Sequence, residues 1–155
     1  MKRFIQNGTA AMVFLAVAAC GGPPSQAQIA DRNFILQEAT ALTKLCLQRQ
    51  GTAALTARGY SPITGMFSQG QYVKRIDGFA SEAVAALKGS PCNVELGASA
   101  GAIYMNAATE VLSVSGYKQI SDWDWAKGNK KVRLQGTVQS RSDGGRYSEI
   151  TLTYL

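Results

Sequence analysis

The chain has 155 residues, of which 46% are hydrophobic and 17% are charged, a composition typical of a globular protein rather than a disordered one. Its formal net charge is +6, and the basic residues are too scattered to predict nucleic-acid binding. The chain contains no histidine, which excludes a Ser-His-Asp catalytic triad and histidine-ligated zinc. No cofactor is predicted.

The first 20 residues have the three parts of an export signal. Lys2 and Arg3 form a basic start, residues 10–19 are mostly apolar, and small residues come directly before Cys20. The apolar run is about half as long as the roughly 20 residues that a membrane-spanning helix needs. We therefore expect a cleaved signal and no transmembrane anchor.

The sequence VAAC at positions 17–20 resembles the lipobox of bacterial lipoproteins. The resemblance implies that residues 1–19 are removed and that Cys20 carries a lipid, whose membrane affinity grows by about 0.8 kcal/mol per buried methylene. Gly21, rather than an aspartate, implies sorting to the outer membrane, facing the periplasm. The alternative is cleavage after Ala27, which would give a secreted soluble protein.

Without its signal the chain keeps 136 residues, enough for one domain with a hydrophobic core. Residues 20–30 contain the lipidated cysteine, two glycines and two prolines and are predicted to be a flexible tether, so residues 31–155 form the single domain. Loss of Lys2 and Arg3 lowers the net charge to +4. That charge is compatible with an anionic lipid or an envelope protein as partner.

Two cysteines remain after lipidation, Cys46 and Cys92. An even pair in an oxidising compartment predicts a disulfide. Closing a loop of this length stabilises a fold by about 4 kcal/mol in the chain-entropy model. A reactive or metal-binding thiol is the alternative, but two isolated cysteines without histidine do not predict a metal site.

The first part of the domain is predicted to be mainly helical. Asp31 is the predicted N-cap of a helix whose apolar residues recur at helical spacing up to Gly51. A short helix with Thr52 as its N-cap is predicted over 52–58, and a strand over 71–77. Apolar residues four apart predict another short helix over 79–87.

In the second part, apolar and polar residues alternate as they do in strands, except over one helix. A half-buried strand is predicted over 92–96 and the strongest helical pattern in the chain lies over 100–115. Another strand is predicted around 120–125, and residues 132–139 and 149–154 form a hairpin with one apolar face. The fold class is α+β, with helices packed on one face of a small, mainly antiparallel sheet that ends in a C-terminal β-hairpin.

The sequence GASAG at positions 97–101 fits the G-x-S-x-G pattern between a predicted strand and a predicted helix. The run around it resembles the nucleophile elbow of patatin-like acyl hydrolases, whose serine works with an aspartate from an Asp-Gly-Gly or Asp-Gly-Ala motif. The sequence DGG at 143–145 supplies that triplet. The resemblance implies that Ser99 is the nucleophile and Asp143 the general base of a dyad acting on lipid esters. The alternative is a tight strand-to-helix connection and an ordinary hairpin turn.

A second candidate site combines two tryptophans with a series of basic residues. On the solvent face of the hairpin these side chains would contact anionic head groups or a protein partner, with a tryptophan at the interface. The alternative places both tryptophans in the core, and the charges then only keep the outer face soluble. The residues of this predicted surface are Trp123, Trp125, Lys127, Lys130, Lys131 and Arg133.

The predicted function is therefore that of an exported, membrane-anchored lipoprotein, which serves as a binding or structural component of the cell envelope. The alternative is a patatin-like acyl hydrolase. The binding hypothesis predicts that Ser99→Ala leaves function intact and that charge reversal of Lys130, Lys131 and Arg133 impairs it. The hydrolase hypothesis predicts the opposite ranking.

Overall fold

The fold is seen in a computed structural model that describes six segments of the chain, 23–64, 70–75, 82–87, 92–97, 100–140 and 144–155. Within these segments the fold is α+β, as the sequence predicts. The predicted lipidation site Cys20 and the predicted dyad, Ser99 and Asp143, lie outside the described residues.

Helix α1 covers Gln26–Leu47 and begins with a capping box. The Ser25 hydroxyl accepts a hydrogen bond from the backbone N–H of Gln28 at 3.2 Å, and the Gln28 side chain accepts one from the backbone N–H of Ser25 at 2.8 Å. The prediction of Asp31 as N-cap is wrong, because this pair caps the helix earlier. Residues 26–30 of the predicted flexible tether are consequently helical.

The other two helices lie close to their predicted positions. Helix α2 covers Thr52–Ala57, with Gly51 as its N-cap instead of Thr52. Helix α3 covers Gly101–Val114 and confirms the strongest helical pattern of the sequence. The chain leaves α3 through Gly116, whose φ of +84° is readily adopted only by glycine.

Eight strands form one sheet in the described segments: β1 (Ser61–Pro62), β2 (Tyr72–Arg75), β3 (Glu82–Leu87), β4 (Cys92–Gly97), β5 (Lys118–Gln119), β6 (Asp124–Lys127), β7 (Lys130–Ser140) and β8 (Arg146–Tyr154). Their order is β1-β2-β3-β4-β8-β7-β6-β5, and every neighbouring pair is antiparallel. Two four-stranded meanders are therefore joined where β4 lies beside β8, and α3 makes the connection between them.

The sheet corrects two predictions. The short helix predicted over 79–87 is wrong, because β3 occupies part of that range and pairs with a strand on each side; Ala85 lies opposite both Tyr72 and Val94. This pairing with the strand on each side overrides the local helical spacing. The strand predicted around 120–125 is wrong in its bounds, because β5 ends at Gln119 and β6 begins at Asp124.

Helices α1 and α3 pack on one face of the sheet, and the hydrophobic core lies between them and the sheet. Each fully buried side chain of the size of leucine or valine contributes about 1.5–3 kcal/mol. The predicted disulfide is confirmed, since Cys46 and Cys92 are bonded with their Cα atoms 5.9 Å apart. The central core residues are Ala39, Leu42, Val94, Leu96, Ala108, Leu112, Val132, Leu134, Ile150 and Leu152.

Candidate functional site

The residues of the predicted basic surface lie in several different parts of the fold. Strand β7 buries Val132 and Leu134 against the helices, so Lys131 and Arg133 lie on the opposite face of the sheet. Lys130 has the parity of the buried residues and lies near the end of α1. The Lys127 ammonium donates a hydrogen bond to the backbone carbonyl of Ser115 at 2.7 Å. These cations do not form one continuous surface.

Arg133 is occupied by an acidic partner on the neighbouring strand. Its Nε and Nη2 atoms donate to the two carboxylate oxygens of Asp124 at 2.6 and 3.0 Å, in a bidentate pair. Hydrogen bonding from Arg133 lowers the pKa of the Asp124 carboxyl below 3.8 and raises the pKa of the guanidinium. Arg133 is therefore committed to this pair.

The two tryptophans have different environments. Trp125 lies opposite Val132 on β7 and is only 6% exposed, so it belongs to the core and not to a binding surface. Trp123 is 45% exposed. Of the two tryptophans, only Trp123 is therefore exposed enough to contact a partner.

Trp123 lines an apolar cleft of about 400 Å³ beside the first turn of α3. We call it the Trp123 cleft. Ser148 contributes a hydroxyl to its lining, and most of the rest of the lining is hydrocarbon or backbone. Besides Trp123 and Ser148, the lining residues are Gly101, Ala102, Met105, Gly136, Thr137, Val138 and Ile150.

Two glycines bring the first turn of α3 close to the sheet at this cleft. A Cβ atom at Gly101 would lie 2.8 Å from the Cβ atom of Ser148, a distance that real Cβ atoms do not show. A Cβ atom at Gly136 would lie 3.1 Å from atoms of Met105 and Ile150. A glycine inside a strand indicates such a close approach, so Gly136 is the signal by which the sequence could have pointed to the cleft.

Described residues close in sequence to positions 99 and 143 lie near this cleft. As predicted, β4 precedes position 99 and α3 follows it. Gly97, the last residue of β4, pairs with Tyr147 near the start of β8. The ends of β4 and β8 that are nearest to these positions in sequence therefore lie side by side, next to the cleft residues Gly101 and Ser148.

The buried carboxylate of Glu38 forms a polar site, separate from the Trp123 cleft, that the sequence did not lead us to predict. Glu38 is 3% exposed on the inner side of α1. Its oxygens accept hydrogen bonds from Lys74 at 2.6 Å, from the Tyr60 hydroxyl at 2.9 Å and from Arg58 at 3.3 and 3.4 Å. We call these four residues the Glu38 cluster. The signal for it in the sequence is a charged residue four positions from both Phe34 and Leu42 on the apolar side of the helix.

The Glu38 cluster has the properties of a structural ion network. Burial and the neighbouring Glu38 charge raise the pKa of the Tyr60 phenol far above its ordinary value of 10.0, so the hydroxyl stays protonated and donates to the carboxylate. Two cations compensate the buried negative charge. The cluster ties α1 to the residue after α2 and to β2.

The described residues provide no group of three or more acidic, cysteine or histidine side chains that could hold a metal ion. No helix in these segments has the length and apolar character needed to cross a membrane. The chain matches no protein-family model, no curated protein and no solved structure. Its function must therefore be inferred from the chemistry of its own sites.

Proposed function

We propose that the protein is an exported, lipid-anchored binding protein of the cell envelope, and that its domain binds an apolar group in the Trp123 cleft. The observation that carries the proposal is the concentration of accessible apolar surface there. Trp123 and Val138 are 45% and 53% exposed, and both line the same concave site. Ligand sites are commonly concave and mostly apolar, with a few polar groups.

The lipobox supports the location of this activity. A lipid on Cys20 would hold the domain at a membrane, and the partner would be an envelope component with an apolar group to bury. Transfer of apolar surface from water into the cleft is favourable by about 25 cal/mol per Å². Trp123 is the expected anchor, since tryptophan is enriched among residues that dominate binding energy.

The proposal can be tested by the accessibility of Trp123 to acrylamide, with 1-decanol as an apolar probe. Trp125 is buried, so collisional quenching reports mainly on Trp123. We expect decanol to protect the tryptophan fluorescence in the wild type and to protect it much less in Val138→Ser. The matched control is Val114→Ser, an exposed valine outside the cleft. Equal protection in all three proteins, or none in the wild type, would contradict the proposal.

A second candidate function is acyl hydrolysis by a Ser99–Asp143 dyad, favoured by the pairing of Gly97 with Tyr147 beside an apolar cleft. The Ser99 hydroxyl would attack an ester carbonyl and pass its proton to Asp143, the alcohol would leave with a proton, and water would release the acid from the acyl-serine. The test is a fluorophosphonate probe followed by mass spectrometry. Label on Ser99 that Asp143→Ala abolishes supports the dyad, and an unlabelled folded protein rejects it.

A further inference from the structure

A pocket of about 510 Å³ lies where the end of α1 meets the hairpin, away from the Trp123 cleft. Two of its lining residues are cations, two are tyrosines, and none of the described residues that line it is acidic. We call it the Arg49 pocket. Its lining residues are Leu47, Gln48, Arg49, Tyr117, Lys130 and Tyr154.

Arg49 has an unusual backbone conformation for its residue type. Its φ is +52°, and it is the one non-glycine residue with a positive φ in the part of the chain that the structure describes. It follows the C-cap Gln48 of α1, and the N–H of Gln50 donates to the carbonyl of Leu45 at 3.0 Å, a helix ending in which glycine is usual at this position. Glycine would meet the backbone requirement with less strain, so the arginine side chain needs an explanation of its own.

The Arg49 side chain is held at the pocket by Tyr154. Its guanidinium carbon lies 4.2 Å from the centroid of the tyrosine ring. The Tyr154 hydroxyl donates to the carbonyl oxygens of Leu47 at 2.6 Å and Cys46 at 3.1 Å, so the ring is itself fixed to the end of α1. The disulfide at Cys46 fixes the same point. The guanidinium is thereby preorganised on a rigid support.

Lys130 brings a second positive charge to the same pocket from the start of β7. Two like charges in one concavity repel each other, and a doubly charged anion between them would remove that repulsion. Arginine presents a planar pair of donors that suits phosphate, and lysine adds a point charge. The buried Tyr117 supplies an aromatic wall for whatever carries the anion.

We propose that the Arg49 pocket binds the phosphate group of a ligand, with Arg49 and Lys130 as the residues that hold it. Two sources share this chemistry, a soluble phosphate ester and a phospholipid head group. The competing structural explanation is that Arg49 only terminates α1, where a cation is favourable beside the carbonyl groups of the last turn.

The test compares Arg49→Gly, Lys130→Gln and the control Lys131→Gln in the intact protein, purified in a neutral detergent. Arg49→Gly keeps the backbone conformation and removes the guanidinium, so it is expected to fold. Lys131 is adjacent to Lys130 but lies on the other face of the sheet. Inorganic phosphate should raise the Tm of the wild type and of Lys131→Gln more than chloride does at equal ionic strength. Each pocket variant should weaken binding about tenfold or more.

Vesicles with and without phosphatidylglycerol distinguish the two sources. Because a lipid on Cys20 would attach the protein to either kind of vesicle, the measured quantity is the Tm of the protein reconstituted in each. A Tm raised by inorganic phosphate alone identifies a soluble ester, and a Tm raised by the anionic vesicles in the wild type but in neither pocket variant identifies a lipid head group. If neither probe binds the wild type, or if Arg49→Gly binds as tightly as the wild type, the proposal is overturned and Arg49 serves only to end the helix.

Discussion

The Glu38 cluster and the Arg49 pocket both contain an arginine, a lysine and tyrosine, but only the Glu38 cluster contains a carboxylate. In the Glu38 cluster both cations contact a buried carboxylate directly. In the Arg49 pocket no carboxylate belongs to the described lining. In the Glu38 cluster the protein's own carboxylate offsets the repulsion between the two cations. In the Arg49 pocket a bound anion would have to do so.

The comparison shows that a group of basic residues is informative about ligands only when its acidic partners are known. Arg133 and Lys130 lie on the same strand, three residues apart, and belong to one predicted basic surface. Arg133 is satisfied by Asp124, whereas Lys130 faces a pocket with another cation. The two residues are close in the sequence, but only Arg133 has an acidic partner on the neighbouring strand.

The largest expected effect concerns the disulfide beside the Arg49 pocket. The double variant Cys46→Ala/Cys92→Ala should lower the free energy of unfolding by about 4 kcal/mol, because the unfolded chain regains the entropy of an open loop. Urea denaturation of the two proteins measures the difference. A loss of less than about 1 kcal/mol would contradict the entropic explanation. Phosphate binding by the variant then shows how far the pocket depends on the covalent tie.

Removal of the charge from the Glu38 cluster should be nearly as severe. Glu38→Gln leaves Arg58 and Lys74 beside a neutral amide, and breaking a buried ion pair in this way costs about 3–5 kcal/mol. The matched control is Glu110→Gln on the exposed side of α3, for which we expect a change within about 0.5 kcal/mol. Equal effects of the two variants would show that the cluster is not structural.

A smaller effect on stability should distinguish the backbone strain at Arg49 from the contribution of its side chain. Arg49→Ala removes the guanidinium but keeps a Cβ atom at a φ of +52°, whereas Arg49→Gly relieves that strain. We expect the alanine variant to be less stable than the glycine variant by about 1 kcal/mol. Thermal unfolding of both proteins at one pH measures the difference. Equal stability would mean that the position is not strained.

The smallest effect should come from the exposed Asp124–Arg133 pair. Because hydrogen bonding from Arg133 lowers the pKa of Asp124, the pair contributes stability above the unfolded-state pKa near 3.8 and loses it as pH falls through the folded-state pKa. Wild type and Asp124→Asn should therefore differ slightly at neutral pH and converge in acid. Unfolding curves between pH 2 and 7, at low and high salt, test this. A difference that grows in acid would contradict the sign.

The sequence predicted correctly those helices and strands whose own apolar spacing or alternation determines their conformation. Helix α3 follows from its apolar spacing, and strands β4, β7 and β8 follow from their alternation. Strand β3 could not be recognised, because its conformation depends on pairing with β2 and β4. The disulfide could be predicted because an exported chain whose Cys20 carries a lipid keeps one even pair of cysteines.

The candidate sites were harder to predict than the fold. Trp123 and Trp125 are two residues apart, which in a continuous strand would place them on one face. Both do lie on the helix side of the sheet, since Trp125 is opposite the buried Val132 and Trp123 lines the cleft beside α3. They differ in burial, because Trp125 is covered by the core and Trp123 lies in an accessible cleft, and their spacing in the sequence does not reveal this difference. The Arg49 pocket unites residues from α1, β7 and β8, and no local pattern could have shown that.

The position of β8 in the sheet has a consequence for how the domain forms. Although β8 is synthesised after all the other strands, it lies between β4 and β7 and is the only contact between the two meanders in the described sheet. Its pairs with β4 join residues distant in sequence, such as Cys92 and Leu152, and such high contact order slows folding. The eight-stranded sheet cannot be completed until β8 has been synthesised. Under the proposed export, the domain would therefore be completed only after its C-terminal strand has crossed the membrane.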